Sequence, residues 1–228
     1  MSTVRYRRAV TRLTSVTYDV YVRLREARGN QELRMAYHDG VLEVMSPEFR
    51  HDRASRHLFL LVAGYCEAFN VPCEAAGSTT VRKGLPGELE GQGKEPDESF
   101  YIGAAAVRSV LGKPTLDLTI DPPPSLWVEV DNWGSSKARL PLYAGLGVSE
   151  VWRYRPRKQT LWFGRLAGAH YEPTEASLVL PGLTRSMAAQ IMTASASLDL
   201  TAWRRFLERD WFPSHRHELI DGGAAEVE

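Results

Sequence analysis

Three carboxylates stand where an acid could do chemistry. In "SLWVEVDNWG", residues 125–134, Leu126, Val128 and Val130 alternate with Trp127, Glu129 and Asp131. Period-two alternation puts the first three on one face of a strand and the second three on the other. The simplest reading of Glu129 and Asp131 is an exposed face on an edge strand, and Trp127 on the same face argues against full exposure. A buried carboxylate without a partner is costly, so it wants a metal or a cation. About thirty residues upstream, "EPDESF" places Asp97 directly after a proline at the start of a strand-like run. Pro-Asp alone usually marks a turn. Together, a Pro-Asp strand beside a Glu-x-Asp strand would bring carboxylates next to each other. That pattern suits a hard divalent cation such as magnesium, which takes oxygen ligands and retains waters. Such an ion can polarise a phosphoryl oxygen and activate water.

The elements that must position these acids are legible around them. Residues 16–28 form an amphipathic pattern that predicts a helix ending near Gly29. "LRMAYHDGVLEVMSP" reads as a hairpin around Asp39-Gly40. From about His51 to Asn70, Leu58, Leu61, Val62, Tyr65, Cys66 and Phe69 recur at helical spacing. "VPCEAAG" and "STTVRK" are short strand candidates, and residues 84–95 form a Gly-rich loop before "PDESFYI". "DPPPS" at 121–125 delivers the chain into the Glu129 strand. A helix follows in "SSKARLPLYAGLGV", starting late enough to keep Pro141 in its first turn and ending at Gly145 or Gly147. "EVWRY" and "TLWFGRL" pair as a hairpin, "SLVLPGL" reads as a further strand, and "LTAWRRFLERDWF" as a last helix. The expected organisation is a basic N-terminal arm (1–15), one α/β domain (16–210) with a mixed central sheet flanked by helices, and a disordered tail (211–228).

Composition limits the function classes. The 228 residues carry no net charge, and 43% are hydrophobic, which is ordinary for a globular protein. No apolar run approaches the length of a membrane span, and the basic N-terminus lacks the apolar region of a secretory signal, so a cytoplasmic location is expected. Cys66 and Cys73 lack zinc or redox spacing. No dinucleotide fingerprint, Walker loop, nucleophile elbow or metalloprotease histidine pair occurs, so no organic cofactor is expected. Zero net charge argues against a protein that coats nucleic acid, although local basic patches exist. One is the arm with Arg5, Arg7, Arg8 and Arg12, and another is "WRYRPRKQ" with Arg153, Arg155, Arg157 and Lys158. Each is equally well explained as solvated surface.

Six pieces, in order, carry a resemblance: "HDGVLEVMSPEFRHDRASRHL", "GSTTVRK", "KEPDESFYI", "DLTIDPPPSLWVEVD", "LPLYAGLGVSEVWRY" and "SLVLPGL". As a set, from about residue 16 to residue 207, they resemble the Uma-type restriction endonuclease family within the PD-(D/E)XK nuclease superfamily. The resemblance implies a restriction-endonuclease-like fold with a four- or five-stranded mixed sheet. It also implies magnesium-dependent hydrolysis of phosphodiesters in DNA, with manganese as a substitute ion. Asp97 matches the acid of the PD element and Glu129 the (D/E) of the second element, both as metal ligands. The superfamily lysine should fall at 131, where this chain has Asp131. Asp131 is then expected to hold a water or a second ion, and the missing positive charge to come from the next helix, through Lys137 or Arg139. Glu48, His51 and Asp52 open the preceding helix, and a capping role explains them more simply than an extra acid in the site. Glu43 reads as structural and His38 as an exposed turn residue. A homodimer is an assembly the resemblance allows, and core packing is the reading for Trp127, Trp133, Trp152 and Trp162. The departure at 131 also keeps open a catalytically silent module of the same fold that binds nucleic acid or protein.

Overall fold

The computed structural model describes residues 10–30, 33–45, 49–84, 91–132 and 135–224. Two sheets organise them. The first is antiparallel and five-stranded, in the order β1-β3-β2-β6-β5. Its strands are β1 (Val10–Leu13), β2 (Arg34–His38), β3 (Val41–Met45), β5 (Val81–Lys83) and β6 (Gln92–Lys94). The second has six strands in the order β11-β10-β9-β8-β7-β4. They are β4 (Cys73–Ala75), β7 (Glu98–Ile102), β8 (Leu126–Val130), β9 (Glu150–Arg155), β10 (Thr160–Ala167) and β11 (His170–Thr174). This sheet is mixed, because β8 and β9 run parallel while its other pairs are antiparallel.

Helix α1 (Tyr18–Glu26) packs on the first sheet, where the Tyr18, Tyr21 and Tyr37 rings meet. Helix α2 (Phe49–Ala68) buries its predicted stripe, Leu58 to Cys66, against Leu126, Val128 and Val130 of β8. A short helix, α3 (Ala104–Val110), follows β7. A 3-10 turn (Ser136–Arg139) leads into α4 (Leu140–Leu146), with Pro141 in the first turn, as its missing N–H requires. Gly147 ends α4 in the left-handed conformation (φ 83°). Then come α5 (Arg185–Ala194) and α6 (Leu200–Arg205), a π turn (Phe206–Trp211), α7 (Phe212–Ser214) and α8 (Arg216–Ala224). Among the described residues no helix is long and apolar enough to cross a membrane.

The predicted mixed sheet between helices is present, with six strands rather than four or five and a second sheet beside it. Three local expectations are corrected. Residues 10–13 of the supposed arm are an edge strand paired with β3; Arg5, Arg7 and Arg8 lie outside the described residues. "SLVLPGL" is not a strand. Leu180 and Leu183 reach the core from a loop whose amides at Val179 and Leu180 bond the Ser177 hydroxyl, and its place in the sheet is taken by β11. The tail is helical to Ala224, because Leu219 finds a buried seat. Trp127 and Trp152 are core residues, Trp162 is half-buried, and Trp133 lies outside the described residues.

Candidate active site

Each face of β8 is covered by something different. Leu126, Val128 and Val130 face α2, whereas Trp127 joins a second core beneath α4 and stacks on Tyr143 with ring centroids 5.2 Å apart. Glu129 follows Trp127 on that covered face and is buried with it. Its Oε1 accepts the Trp127 indole N–H (2.7 Å) and lies 3.2 Å from Nζ of Lys94, which is itself buried.

Asp97 arrives from the neighbouring strand. The β7–β8 register ends at the pair Glu98 and Val128, and Asp97 stands immediately before β7, beside the end of β8. Asp97 Oδ2 accepts the Val130 N–H (2.7 Å) and sits 2.9 Å from His51 Nε2, and Oδ1 is paired with Arg34. Burial alone would raise this carboxyl, but His51, then Lys94 and Arg34, hold it well below the usual carboxylate range. Lys94, Arg139 and Tyr143 each sense both carboxylates. Burial pushes the Lys94 ammonium down against the pull of Glu129, and burial then Glu129 push the Tyr143 phenol up.

The remaining sequence candidates separate. Asp131 is already engaged: Oδ1 accepts the Ser136 N–H and Oδ2 pairs with Arg153, both at 2.7 Å. It ties the 3-10 turn to the sheet, a structural use that the expected water or second ion would have to displace. Arg139 turns toward the carboxylates and lies 3.3 Å from Glu43. Lys137, two residues earlier, is exposed and opens onto a different cavity. Glu43, expected to be structural, holds Arg139. A cavity of about 240 Å³ lies against this pair and reaches His38 and Arg12.

His51 proves more than a helix-capping residue. Its Nδ1 lies 3.2 Å from Asp52, which orients the ring toward Asp97. Glu48 lies outside the described residues. Arg34, Lys94 and Tyr143 were not anticipated. Arg34 and Lys94 come from β2 and β6 of the other sheet, so nothing within one segment links Arg34 to Asp97 or Lys94 to Glu129. Tyr143 reads from sequence as an ordinary core aromatic. The available signal was Lys94 itself, a lysine three residues before the Pro-Asp acid in an otherwise glycine-rich loop.

Comparisons with known proteins place the chain in a family. The Uma2 family, described as a putative restriction endonuclease, matches residues 19–199. This chain belongs to the Uma2 family. No curated protein matches it. Its fold is similar to the crystal structure, at 1.96 Å resolution, of a putative nuclease belonging to DUF820 from Anabaena variabilis ATCC 29413. That likeness has a TM-score of 0.50 at 14% identity, covering 84% of this chain and 99% of the other. At that identity the likeness speaks for the fold.

The Uma2 assignment implies a divalent metal, and the donor set is compatible with one. Magnesium is usually held by one or two carboxylates and completed by waters and substrate phosphate. Asp97 and Glu129 supply the carboxylates. The Tyr143 hydroxyl is buried beside them with no hydrogen-bond partner among the described residues, and a polar atom left so calls for a ligand or water. Two features constrain the site. Among the described residues no group of three or more His, Cys, Asp or Glu side chains is arranged to hold a metal ion. An ion on Asp97 must also displace Arg34 or His51.

Proposed function

We propose that this Uma2-family chain is a magnesium-dependent endonuclease that hydrolyses phosphodiester bonds in DNA. The observation that carries the reading is the placement of Asp97 and Glu129 at one end of the β7–β8 pair, buried, with Lys94 and Arg139 beside them. Asp97 and Glu129 would hold the metal, which when bound polarises the phosphoryl group and activates water. The protein's own part is positional and electrostatic. Arg139 presents a planar cation toward the site, braced by Glu43, where negative charge gathers on a phosphate under attack. Lys94 aims Glu129, and His51 and Arg34 keep Asp97 ionised and aimed. The Tyr143 hydroxyl can donate to a substrate oxygen that enters the site.

One observation favours a second reading, a silent nucleic-acid-binding module: both Asp97 oxygens are already partnered by protein groups. Plasmid incubation with and without magnesium, together with calorimetric magnesium and manganese titrations, separates the two. The nuclease reading expects nicking or cutting that needs the metal, is abolished in Glu129→Ala and Asp97→Ala, and falls about 10²-fold in Arg139→Ala. Absence of both metal uptake and cutting leaves the silent module. Full metal-dependent activity in the Asp97→Ala/Glu129→Ala variant removes the assignment of the site.

A further inference from the structure

The face of the large sheet that carries the two acids does not end at Glu129. In the parallel β8–β9 pair Glu129 aligns with Arg153, and in the antiparallel β9–β10 pair Arg153 aligns with Trp162. Residues aligned across neighbouring strands share a face. Glu129, Arg153 and Trp162 therefore form one row across three strands, and Asp97, immediately before β7, stands at its near end. At the far end of that row is a cavity of about 450 Å³ lined by Lys137, Arg153, Arg155 and Arg185 with Trp162 and Tyr171 among its apolar walls. No carboxylate lines it among the described residues.

The charges behind these cations leave a surplus. Asp131 is committed to Arg153 at 2.7 Å and stands 3.9 Å from Arg155. Glu175 pairs with Arg185. Lys137 has no ion pair among the described residues, and the Arg155 side chain is 40% exposed. Arg153 is buried and fixed by Asp131, Ser135 and Ser136, and its guanidinium lies 5.6 Å from the Trp162 ring centroid. The cavity thus joins the exposed cations Lys137 and Arg155 to a held arginine and a half-buried indole. That combination of a phosphate-binding rim and an aromatic platform is the chemistry that takes a nucleotide of an unpaired strand. The 3-10 turn connects it with the acids, because Arg139 leaves the turn toward Glu129 and Lys137 leaves it toward the cavity.

We infer that this cavity binds a nucleotide of the nucleic-acid strand neighbouring the phosphate at the acidic site. Its phosphate lies against Lys137, Arg155 and Arg185, and its base lies against Trp162. The inference rests on the nuclease reading for the strand's path toward the acids, but not for the cavity's affinity.

The test is fluorescence anisotropy with a labelled oligothymidylate in EDTA, over a range of salt concentrations, with plasmid cleavage measured separately. The Lys137→Ala/Arg155→Ala variant alters exposed side chains and should bind at least tenfold more weakly. Two lost phosphate contacts should also reduce the slope of log affinity against log salt by about 1.4. Trp162→Leu should weaken oligothymidylate about tenfold while leaving an abasic strand of the same length unaffected. An unchanged affinity and salt slope in the Lys137/Arg155 variant overturns the subsite even if cleavage proves Glu129-dependent. An equal loss for both strands in Trp162→Leu overturns the base contact. The predicted losses in a protein that cuts nothing support the subsite and reject the nuclease reading.

Discussion

Lys94 and Glu129 form a buried ion pair between two sheets, and its removal has a calculable signature. Lys94→Met keeps the length and apolar stem of the side chain but takes away the ammonium 3.2 Å from Glu129 Oε1. Glu129, buried and 5% exposed at its side chain, would keep the Trp127 indole as a donor to that oxygen but lose the ammonium. Removing one partner of a buried pair costs about 3–5 kcal/mol, because the other charge is left uncompensated. For a chain of this size each kcal/mol lowers Tm by roughly 2–4 °C, so Lys94→Met should melt about 6–20 °C lower. The carboxylate itself generates that cost. In Lys94→Met/Glu129→Gln a neutral amide can still accept the indole N–H, and most of the stability should return. The double-mutant cycle, read by urea denaturation, should therefore give a favourable coupling of about 2–4 kcal/mol. A cost below about 1 kcal/mol for Lys94→Met, or losses that simply add in the double variant, would refute a tight buried pair. The same Lys94→Met protein should lose cleavage, since Glu129 would be less well aimed.

Acid stability offers a second check. Asp97 has its carboxyl depressed in the folded state, so its contribution is complete above the unfolded carboxylate value near about 3.9 and is lost as pH falls toward the folded value. Stability of Asp97→Asn should therefore fall less steeply through this window than wild type, with all other titrating groups common to both; parallel acid limbs would contradict it. The docked tail gives a third. Gly182 has φ +77°, and a β-carbon there would come within 2.0 Å of the Leu219 carbonyl oxygen, so Gly182→Ala should undock α8 and cost about 1–3 kcal/mol, seen as new protease cleavage within residues 216–224 under conditions where wild type is resistant.

Local patterns reached far into this protein. Alternation in "SLWVEV" located β8 and split its faces correctly, and the 3.6-residue stripe from Leu58 to Cys66 located the face of α2 that covers it. Pro141 correctly delayed the start of α4. These features depend on residues a few positions apart, which is where backbone geometry and amphipathic spacing act. The loop at "SLVLPGL" defeated the same logic, because apolar residues seek the core whether or not their backbone joins a ladder. The tail failed for a related reason: Leu219 has little to pack on in its own segment and finds its seat on a loop nearly forty residues away.

By itself the sequence nominated Asp97 and Glu129, by type, spacing and the resemblance they carry, and located the neighbouring strands β7 and β8. Only the tertiary structure decided what surrounds them. Strand pairing in the other sheet brings in Lys94 and Arg34, and α2 brings in His51. The turn after β8 sends Arg139 to the acids and Lys137 away from them, and Asp131 is bound to Arg153. The physical reason is that a buried charge is governed by whichever opposite charge packs against it. That partner is chosen by pairing across long sequence separations, which no local spacing encodes.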